Sequence, residues 1–157
     1  MPTLREILAD PSDFNVCEGV SSRIIDRYNN DVDVGKATQH ESTVVLVWQS
    51  LGIIQNGGFR YLLECDFKGD PDFRKAARAF RTIGCQLSAD AFDQVLALFP
   101  KEKPLPDMER RTRTYCRKFT GFPNPIDSQF FGARGDEIAK RLAHYIRQNA
   151  SEFAHLE

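Results

Sequence analysis

The 157-residue chain has no long apolar run and no targeting pattern at its N-terminus. Its longest uninterrupted apolar stretches, of which 44–48 is one, are far shorter than the roughly 20 residues that cross a bilayer. The first residues also lack the basic-then-apolar order of a secretory signal. The sequence therefore predicts a cytoplasmic protein without a membrane span.

The chain also lacks Cys-x-x-Cys pairs, although it contains four cysteines. An even number of cysteines indicates a disulfide framework in a short secreted chain, but this chain shows no export signal and is long enough to bury a core. We therefore expect free thiols at all four positions. The three histidines are not spaced to complete a tetrahedral zinc site with them, so no structural metal and no cofactor are predicted. The cysteines are Cys17, Cys65, Cys85 and Cys116.

Common catalytic signatures are missing as well. The sequence contains no Gly-x-Ser-x-Gly elbow, phosphate-binding glycine loop, His-Glu-x-x-His motif or dinucleotide fingerprint. A thiol nucleophile needs a neighbouring base, and the sequence leaves open whether a cysteine meets His40 or His144 in space. We expect His144 to be a partly buried structural residue of a helix. No catalytic residue is predicted, and an enzyme of unknown class is the third hypothesis for function.

One loop has part of the spacing of a calcium site. Asn30, Gly35 and Glu41 occupy the first, sixth and twelfth positions of an EF-hand loop. Val32 and Val34 stand where the third and fifth positions require oxygen ligands. The segment is therefore interpreted as an acidic loop without a metal.

Helical patterns dominate what is present. The clearest is an apolar stripe that recurs at helical spacing and that Gly84 can terminate. Four pairs of residues suggest helix starts, two of them with the spacing of a capping box. The stripe is Phe73, Ala76, Ala77, Phe80 and Ile83. The suggested starts are Thr3 with Glu6, Asn15 with Glu18, Asp70 with Pro71, and Ser88 with Ala89.

The segment from Thr43 to Ile54 has two readings, because its run of valine and leucine also suits a buried strand. We predict a helix, since the apolar character continues too far for a typical strand and no second β-rich run offers a pairing partner. A helix that is apolar on most sides belongs in the centre of a fold. The sequence thus predicts an all-α protein, in which residues 1–157 form a single compact bundle of about seven helices around this one.

Charge is unevenly distributed along the chain. Residues 1–59 carry 4 basic and 8 acidic side chains, residues 60–118 carry 13 and 9, and the remainder carries 4 and 5, for a net charge of −1. The basic middle portion contains two rows of arginines, each on the outer face of a predicted helix. The first row is Arg74, Arg78 and Arg81, and the second is Arg110, Arg113 and Arg117 with Arg111 and Lys118 beside them.

The arginine rows have two interpretations. Guanidinium groups match phosphate or carboxylate in a bidentate geometry, so the rows are candidates for binding nucleic acid, an anionic ligand or an acidic protein surface. Alternatively, they are solvated faces whose arginines pair with nearby carboxylates, as charged helix rows usually do. The nearby carboxylates are Asp70, Asp72, Asp107 and Glu109.

A further motif, Asn56-Gly57-Gly58-Phe59, directly follows the central apolar segment. Adjacent glycines can adopt positive φ and allow close backbone approach, so we expect a tight corner between helices with Phe59 in the core. Asn56 can bond to exposed backbone groups at this corner. The alternative is functional: free amides near the next helix would hold an anion.

This motif and several other segments resemble a known protein family. The segment from Ile54 to Phe59, the Asp70 to Cys85 helix with Thr82-Ile83-Gly84, the Phe99-Pro100 boundary and the C-terminal Tyr145 to Asn149 resemble the DNA-mimic protein 19 family over roughly residues 43–153. The resemblance implies an all-helical fold. It also implies a non-enzymatic dimer whose acidic surface imitates the phosphates of duplex DNA and occupies a DNA-binding protein.

The charge of this chain departs from that pattern. Imitation of phosphates requires a dense array of carboxylates, whereas this chain is near neutral and its middle portion is basic. The leading hypothesis is a non-catalytic protein-interaction module with an unknown protein partner, in a homodimer as the resemblance implies. The alternative is a nucleic-acid or anionic-ligand binder that uses the two arginine rows.

Overall fold

A computed structural model describes residues 2–132 and 134–157, and the regular elements in these residues are all helical. The all-α prediction is confirmed, with eight α-helices where about seven were expected. None of the described helices is long and apolar enough to cross a membrane. The α-helices are α1 Leu4–Ala9, α2 Asp13–Arg27, α3 Gln39–Leu63, α4 Arg74–Thr82, α5 Gln86–Leu96, α6 Met108–Lys118, α7 Pro125–Phe131 and α8 Glu137–Gln148. Short 3-10 helices occupy Pro100–Glu102 and Ala150–Leu156.

Helix α3 is the centre of the architecture. It begins with a capping box in which the Thr38 side chain accepts from the Glu41 amide and the Glu41 carboxylate accepts from the Thr38 amide. The run from Val44 to Val47 is buried, and α3 contacts α2, α4, α6, α7 and α8. The prediction of a central helix rather than a strand is therefore correct, because apolar side chains around a helix can all be buried when neighbours surround it.

The predicted start of α2 is wrong. Asn15 lies inside the helix, and Ser12 is the cap, because its hydroxyl accepts from the Asn15 amide at 3.3 Å. At α1 the prediction holds, since Thr3 and Glu6 form a complete capping box. Ser, Thr, Asp and Asn all cap well, so spacing alone does not decide between two candidates three residues apart.

The predicted starts of α4 and α5 also require correction. Helix α4 begins at Arg74 rather than Pro71, although the buried Asp70 carboxylate does cap it by accepting from the amides of Lys75 at 2.9 Å and Ala76 at 2.8 Å. Ser88 lies within α5, where its hydroxyl donates to the Phe130 carbonyl at 2.7 Å. A serine that satisfies its hydroxyl across the core does not need to cap its own helix.

The core contains a cluster of four phenylalanines, defined here as the interior aromatic cluster. Their side chains come from four helices, and neighbouring ring centroids lie 5.1 to 6.1 Å apart, mostly edge to face. All four are almost completely buried. The apolar stripe predicted for α4 lies in the same core and is buried throughout, as expected. The cluster is Phe59 of α3, Phe80 of α4, Phe92 of α5 and Phe130 of α7.

One carboxylate is buried near the start of α3 and joins distant parts of the chain. Glu41 accepts from the Tyr28 hydroxyl at 2.9 Å, lies 2.8 Å from His155 Nε2, and lies 3.5 Å from the Arg27 guanidinium. Tyr28 and Arg27 belong to the end of α2, and His155 belongs to the C-terminal 3-10 helix. Buried carboxylates need such partners, since an unpaired charge in the interior is costly.

Candidate functional site

The Asn-Gly-Gly-Phe motif forms a kink within α3. Gly58 has φ +74 and ψ −167, a conformation almost restricted to glycine, while helical geometry resumes after it. The Asn56 side chain donates to the Gly52 carbonyl at 2.9 Å on the preceding turn. Phe59 enters the interior aromatic cluster and is completely buried.

The backbone amide at this kink has an acceptor, and that acceptor is a carboxylate of the chain itself, Asp127. The Phe59 amide donates to Asp127 Oδ1 at 3.0 Å, and the Asn124 amide donates to Asp127 Oδ2 at 3.1 Å. A side chain at Gly58 would place its Cβ 2.6 Å from the same carboxylate. The motif is thus a close backbone approach between α3 and α7, with Asp127 filling the position that an external anion would take.

Helix α7 was missed from the sequence although its start carries a clear signal. Asn124 accepts from the amides of Ile126 and Asp127, and Pro125 stands at the first helical position. An Asn-Pro pair followed by an acidic residue three positions after the cap is typical of a helix start. The helix has only seven residues, which gives too little apolar periodicity to reveal it.

The first arginine row, on α4, is partly neutralised. Arg81 pairs with Asp93 at 2.6 Å, and Arg74 lies 3.8 Å from Asp72 and donates to the Lys101 carbonyl at 2.7 Å. Arg78 is exposed, and within the described residues it makes no ion pair. It lines a surface pocket of about 320 Å³.

The second row, on α6, is more open. Arg113 pairs with Glu109 at 2.6 Å. Arg110 and Arg117 are exposed, and neither pairs with a carboxylate in the part of the chain that the structure describes. Asp107, an expected partner, instead caps α6 by accepting from the Arg110 amide at 2.8 Å.

Arg111, grouped with this row in the sequence, does not belong to it. Its side chain is only 2% exposed and points inward. The guanidinium donates to the carbonyls of Leu63 at 2.5 Å and Cys65 at 2.7 Å, which end α3, and to Asp66 at 2.9 Å. It also lies over the Phe73 ring, 5.6 Å from its centroid. Arg111 therefore closes the C-terminus of α3, where the last helical carbonyls lack partners.

The thiols and histidines do not form a nucleophile and base pair. All four cysteines are free. Burial raises the pKa of the Cys17 thiol to about 12 and that of Cys85 to about 11, and Cys17 donates to the Ala139 carbonyl at 3.3 Å. His144 is exposed rather than partly buried as expected, and His40 lies 2.7 Å from the Tyr145 hydroxyl. Raised pKa values disfavour the thiolate on which nucleophilic attack depends.

In the loop with partial EF-hand spacing, the side chain of the last residue, Glu41, is bound to other groups of the protein. Glu41, the twelfth position, is committed to Tyr28, Arg27 and His155 in the core. Over residues 2–132 and 134–157, no three His, Cys, Asp or Glu side chains are grouped so that they could hold a metal.

An open groove lies between α2, α3 and α8, and the sequence did not indicate it. We call it the acidic aromatic groove; its volume is about 530 Å³. Phe14 of α2 is 60% exposed and packs edge to face on Trp48 of α3, with ring centroids 5.2 Å apart. The groove is lined by Asp13, Phe14, Glu18, Trp48, Leu51, Gly52, Gln55, Gly135, Asp136 and Ala139.

The rim of the groove carries three carboxylates. Glu18 accepts from the Trp48 indole N–H at 2.6 Å, and Asp13 pairs with Arg147 at 2.7 Å. Asp136 is exposed. The sequence gives no signal for the exposure of Phe14, because it lies three and seven residues before the buried Cys17 and Ser21 and so shares their helical spacing.

The family assignment rests on the region that contains the kink. The sequence pattern of the DMP19-like protein family matches residues 35–149, which is most of the chain. The chain belongs to the DMP19-like protein family. This match agrees with the resemblance noted over roughly 43–153, and it includes both the Gly57-Gly58 kink and Asp127. No curated protein and no solved structure matches the chain.

Proposed function

We propose that this DMP19-like protein is a non-catalytic protein-interaction module. The supporting observation is the acidic aromatic groove, where a large aromatic side chain stays 60% exposed beside a tryptophan. Exposed apolar surface that is contiguous and rimmed by polar groups marks binding surfaces more often than isolated apolar residues do. Tyrosine, tryptophan and phenylalanine are also enriched where proteins bind one another.

The reactive groups support the same proposal. The buried thiols have raised pKa values, and the buried carboxylates Asp70, Asp127 and Glu41 are each engaged with backbone or side-chain donors. Active sites instead hold groups whose pKa values are tuned to exchange protons with a substrate. The proposal includes a cytoplasmic location, which cell fractionation can test. It also includes a homodimer, which sedimentation velocity can test.

The experiment is capture of a partner followed by reconstitution. The chain, immobilised through either terminus, is incubated with an extract of its source cells, and proteins recovered in both orientations are purified and titrated against it by calorimetry. We expect a saturable complex of fixed stoichiometry. The proposal would be contradicted if no protein is recovered in common from the two orientations. It would also be contradicted if the recovered proteins do not bind the chain again after purification.

A second candidate is a nucleic-acid or anionic-ligand binder. The observation that favours it is that Arg78, Arg110 and Arg117 are exposed and, in the described residues, free of ion pairs. Such binding must weaken steeply with salt because it releases counterions from the phosphates. The unpaired arginines, rather than Arg74, Arg81 or Arg113, are the ones expected to matter.

Fluorescence anisotropy with labelled single-stranded and duplex DNA tests this candidate. The variant Arg110→Ala with Arg117→Ala should bind more weakly and show a smaller salt slope than the wild type. The matched control is Arg81→Ala with Arg113→Ala, which removes two arginines already paired with carboxylates. Equal losses in both variants, or no binding by the wild type at low salt, would remove this candidate.

A further inference from the structure

We propose that the acidic aromatic groove binds a partner segment in which lysine or arginine side chains flank a large apolar side chain. This inference rests on the proposed function and names the chemistry of the partner. It follows from two properties of the groove, its charge, which disfavours anionic occupants, and its apolar floor, which favours a large apolar side chain.

The charge of the groove is entirely negative. Its lining includes three carboxylates, and among the described lining residues there is no lysine, arginine or histidine. Arg147, which does not line the groove, pairs with Asp13 at 2.7 Å. Glu18 and Asp136 therefore carry the charge that a partner would meet. A phosphate or an acidic peptide would be repelled at this surface, whereas a cationic side chain would be attracted.

Glu18 is held in position to receive a cation. The Trp48 indole N–H donates to its Oε2 at 2.6 Å, and the Ser22 hydroxyl lies 3.4 Å from its Oε1. The carboxylate is thus fixed at the rim without an ion-pair partner within the described part of the chain. A guanidinium or ammonium group placed there would form an ion pair with Glu18.

The floor of the groove suits an apolar side chain. Phe14 and Trp48 meet edge to face, and Leu51 and Ala139 complete an apolar surface. The volume of about 530 Å³ is within the range of sites that enclose a ligand. Because Phe14 is 60% exposed, its burial by a partner would contribute more to binding than its present contacts contribute to folding.

The chain provides a direct probe, because Trp48 is its single tryptophan. The probe ligand is a synthetic peptide in which lysines and arginines flank leucines at helical spacing. Two comparison peptides keep the leucines with glutamates in place of the basic residues, or keep the basic residues with serines in place of the leucines. We expect a saturable change in Trp48 fluorescence with the first peptide, and at least about tenfold weaker binding of the other two.

Groove variants locate the binding. Glu18→Gln with Asp136→Asn removes the rim charge, while the amide oxygen introduced by Glu18→Gln can still accept from the indole. Phe14→Ala removes the exposed ring. Each variant should weaken binding of the basic peptide about tenfold, measured by anisotropy of the labelled peptide so that altered tryptophan emission does not interfere. The matched controls are Asp26→Asn, an exposed acid of α2 outside the groove, and Phe122→Ala, an exposed aromatic elsewhere. Neither should change the affinity.

The outcomes separate this inference from the proposed function. Equal binding of the acidic peptide, no effect of the groove variants, or no response of Trp48 would overturn the inference, while a reconstituted partner complex would still support an interaction module. If Trp48 emission changes with protein concentration alone and sedimentation shows a dimer that Phe14→Ala dissociates, then the occupant is a second copy, and the basic-segment proposal is wrong.

Discussion

The interior aromatic cluster and the acidic aromatic groove use the same kind of contact in opposite surroundings. Both contain rings that meet edge to face at about 5 Å. In the cluster, Phe59 is completely buried and meets the rings of Phe92 and Phe130, whereas in the groove Phe14 is 60% exposed beside carboxylates. Burial gives the first contact most of its stabilising free energy, and the second contact lacks it.

The difference shows that the presence of an aromatic side chain does not by itself tell whether a residue stabilises the fold or binds a partner. Phe59 and Phe14 are the same amino acid on neighbouring helices, and only their surroundings assign them different roles. If the comparison is right, then substitutions in the cluster should change the free energy of unfolding, and substitutions in the groove should change binding. The first measurement below tests this directly, and the others test the buried groups Arg111, Gly58 and Asp70 in the same way.

The largest expected effect is that of Phe59→Ala. It removes a buried ring and leaves a cavity beside Phe92 and Phe130, so the free energy of unfolding should fall by about 3 to 5 kcal/mol. Phe14→Ala is the matched substitution and should cost less than about 1 kcal/mol, since its ring is mostly in solvent. Both values come from urea unfolding followed by circular dichroism. A loss for Phe14→Ala as large as that for Phe59→Ala would make the groove part of the core.

Next in size is Arg111→Ala. The substitution leaves the carbonyls that end α3 without donors in the interior, and the expected loss is about 3 kcal/mol. Arg110→Ala, one position earlier and exposed, should change stability by less than about 0.5 kcal/mol. The same unfolding experiment measures both. Similar small effects for the two would mean that water replaces the guanidinium at no cost.

A smaller loss is expected for Gly58→Ala. Alanine is strained at φ +74, and its Cβ would displace the Asp127 carboxylate, so about 2 kcal/mol of stability should be lost. Gly52→Ala serves as the control. A Cβ there meets nothing within 4 Å inside a regular helical turn, and the variant should be more stable by about 0.5 to 1 kcal/mol. A drop in thermal midpoint for Gly52→Ala with none for Gly58→Ala would refute this account of the kink.

The smallest effect is a pH dependence from Asp70. Burial raises the pKa of this carboxyl above its usual 3.8, although the amides of Lys75 and Ala76 oppose the shift. The folded state therefore holds the proton to higher pH than the unfolded state does. The contribution of Asp70 to stability is present below pH 3.8 and is lost as the pH rises through the folded pKa.

Unfolding of the wild type and Asp70→Asn across the acid range checks this sign. The stability of the wild type relative to the variant should decrease as the pH rises from 3.8. A relative stability that stays constant or increases over that interval would show that the amide hydrogen bonds outweigh burial.

The sequence predicted features that depend on long periodic patterns. The stripe from Phe73 to Ile83 and the helical character of Thr43 to Ile54 are correct, because many apolar positions report the same face. Short-range signals were less decisive. Asn15 and Ser88 have the chemistry of caps but lie inside helices, because Ser12 caps α2 and the Ser88 hydroxyl donates to the Phe130 carbonyl instead.

The groove and Arg111 were out of reach for a different reason. Phe14, Trp48 and Asp136 come from separate parts of the chain, and their proximity depends on how the helices pack. Arg111 has the same sequence surroundings as the exposed arginines of α6, yet its side chain turns inward because the end of α3 presents carbonyls to it. Local patterns do not contain the packing on which either feature depends.

Glu41 has a practical consequence for anyone who shortens this protein. The family pattern spans residues 35–149, but the side chains that surround Glu41 include Arg27 and Tyr28 before that range and His155 after it. A fragment trimmed to the matched residues would keep the buried Glu41 and lose Arg27, Tyr28 and His155. Boundaries chosen by homology would therefore cut through the electrostatic support of the central helix, and a functional fragment should retain α2 and the final 3-10 turn.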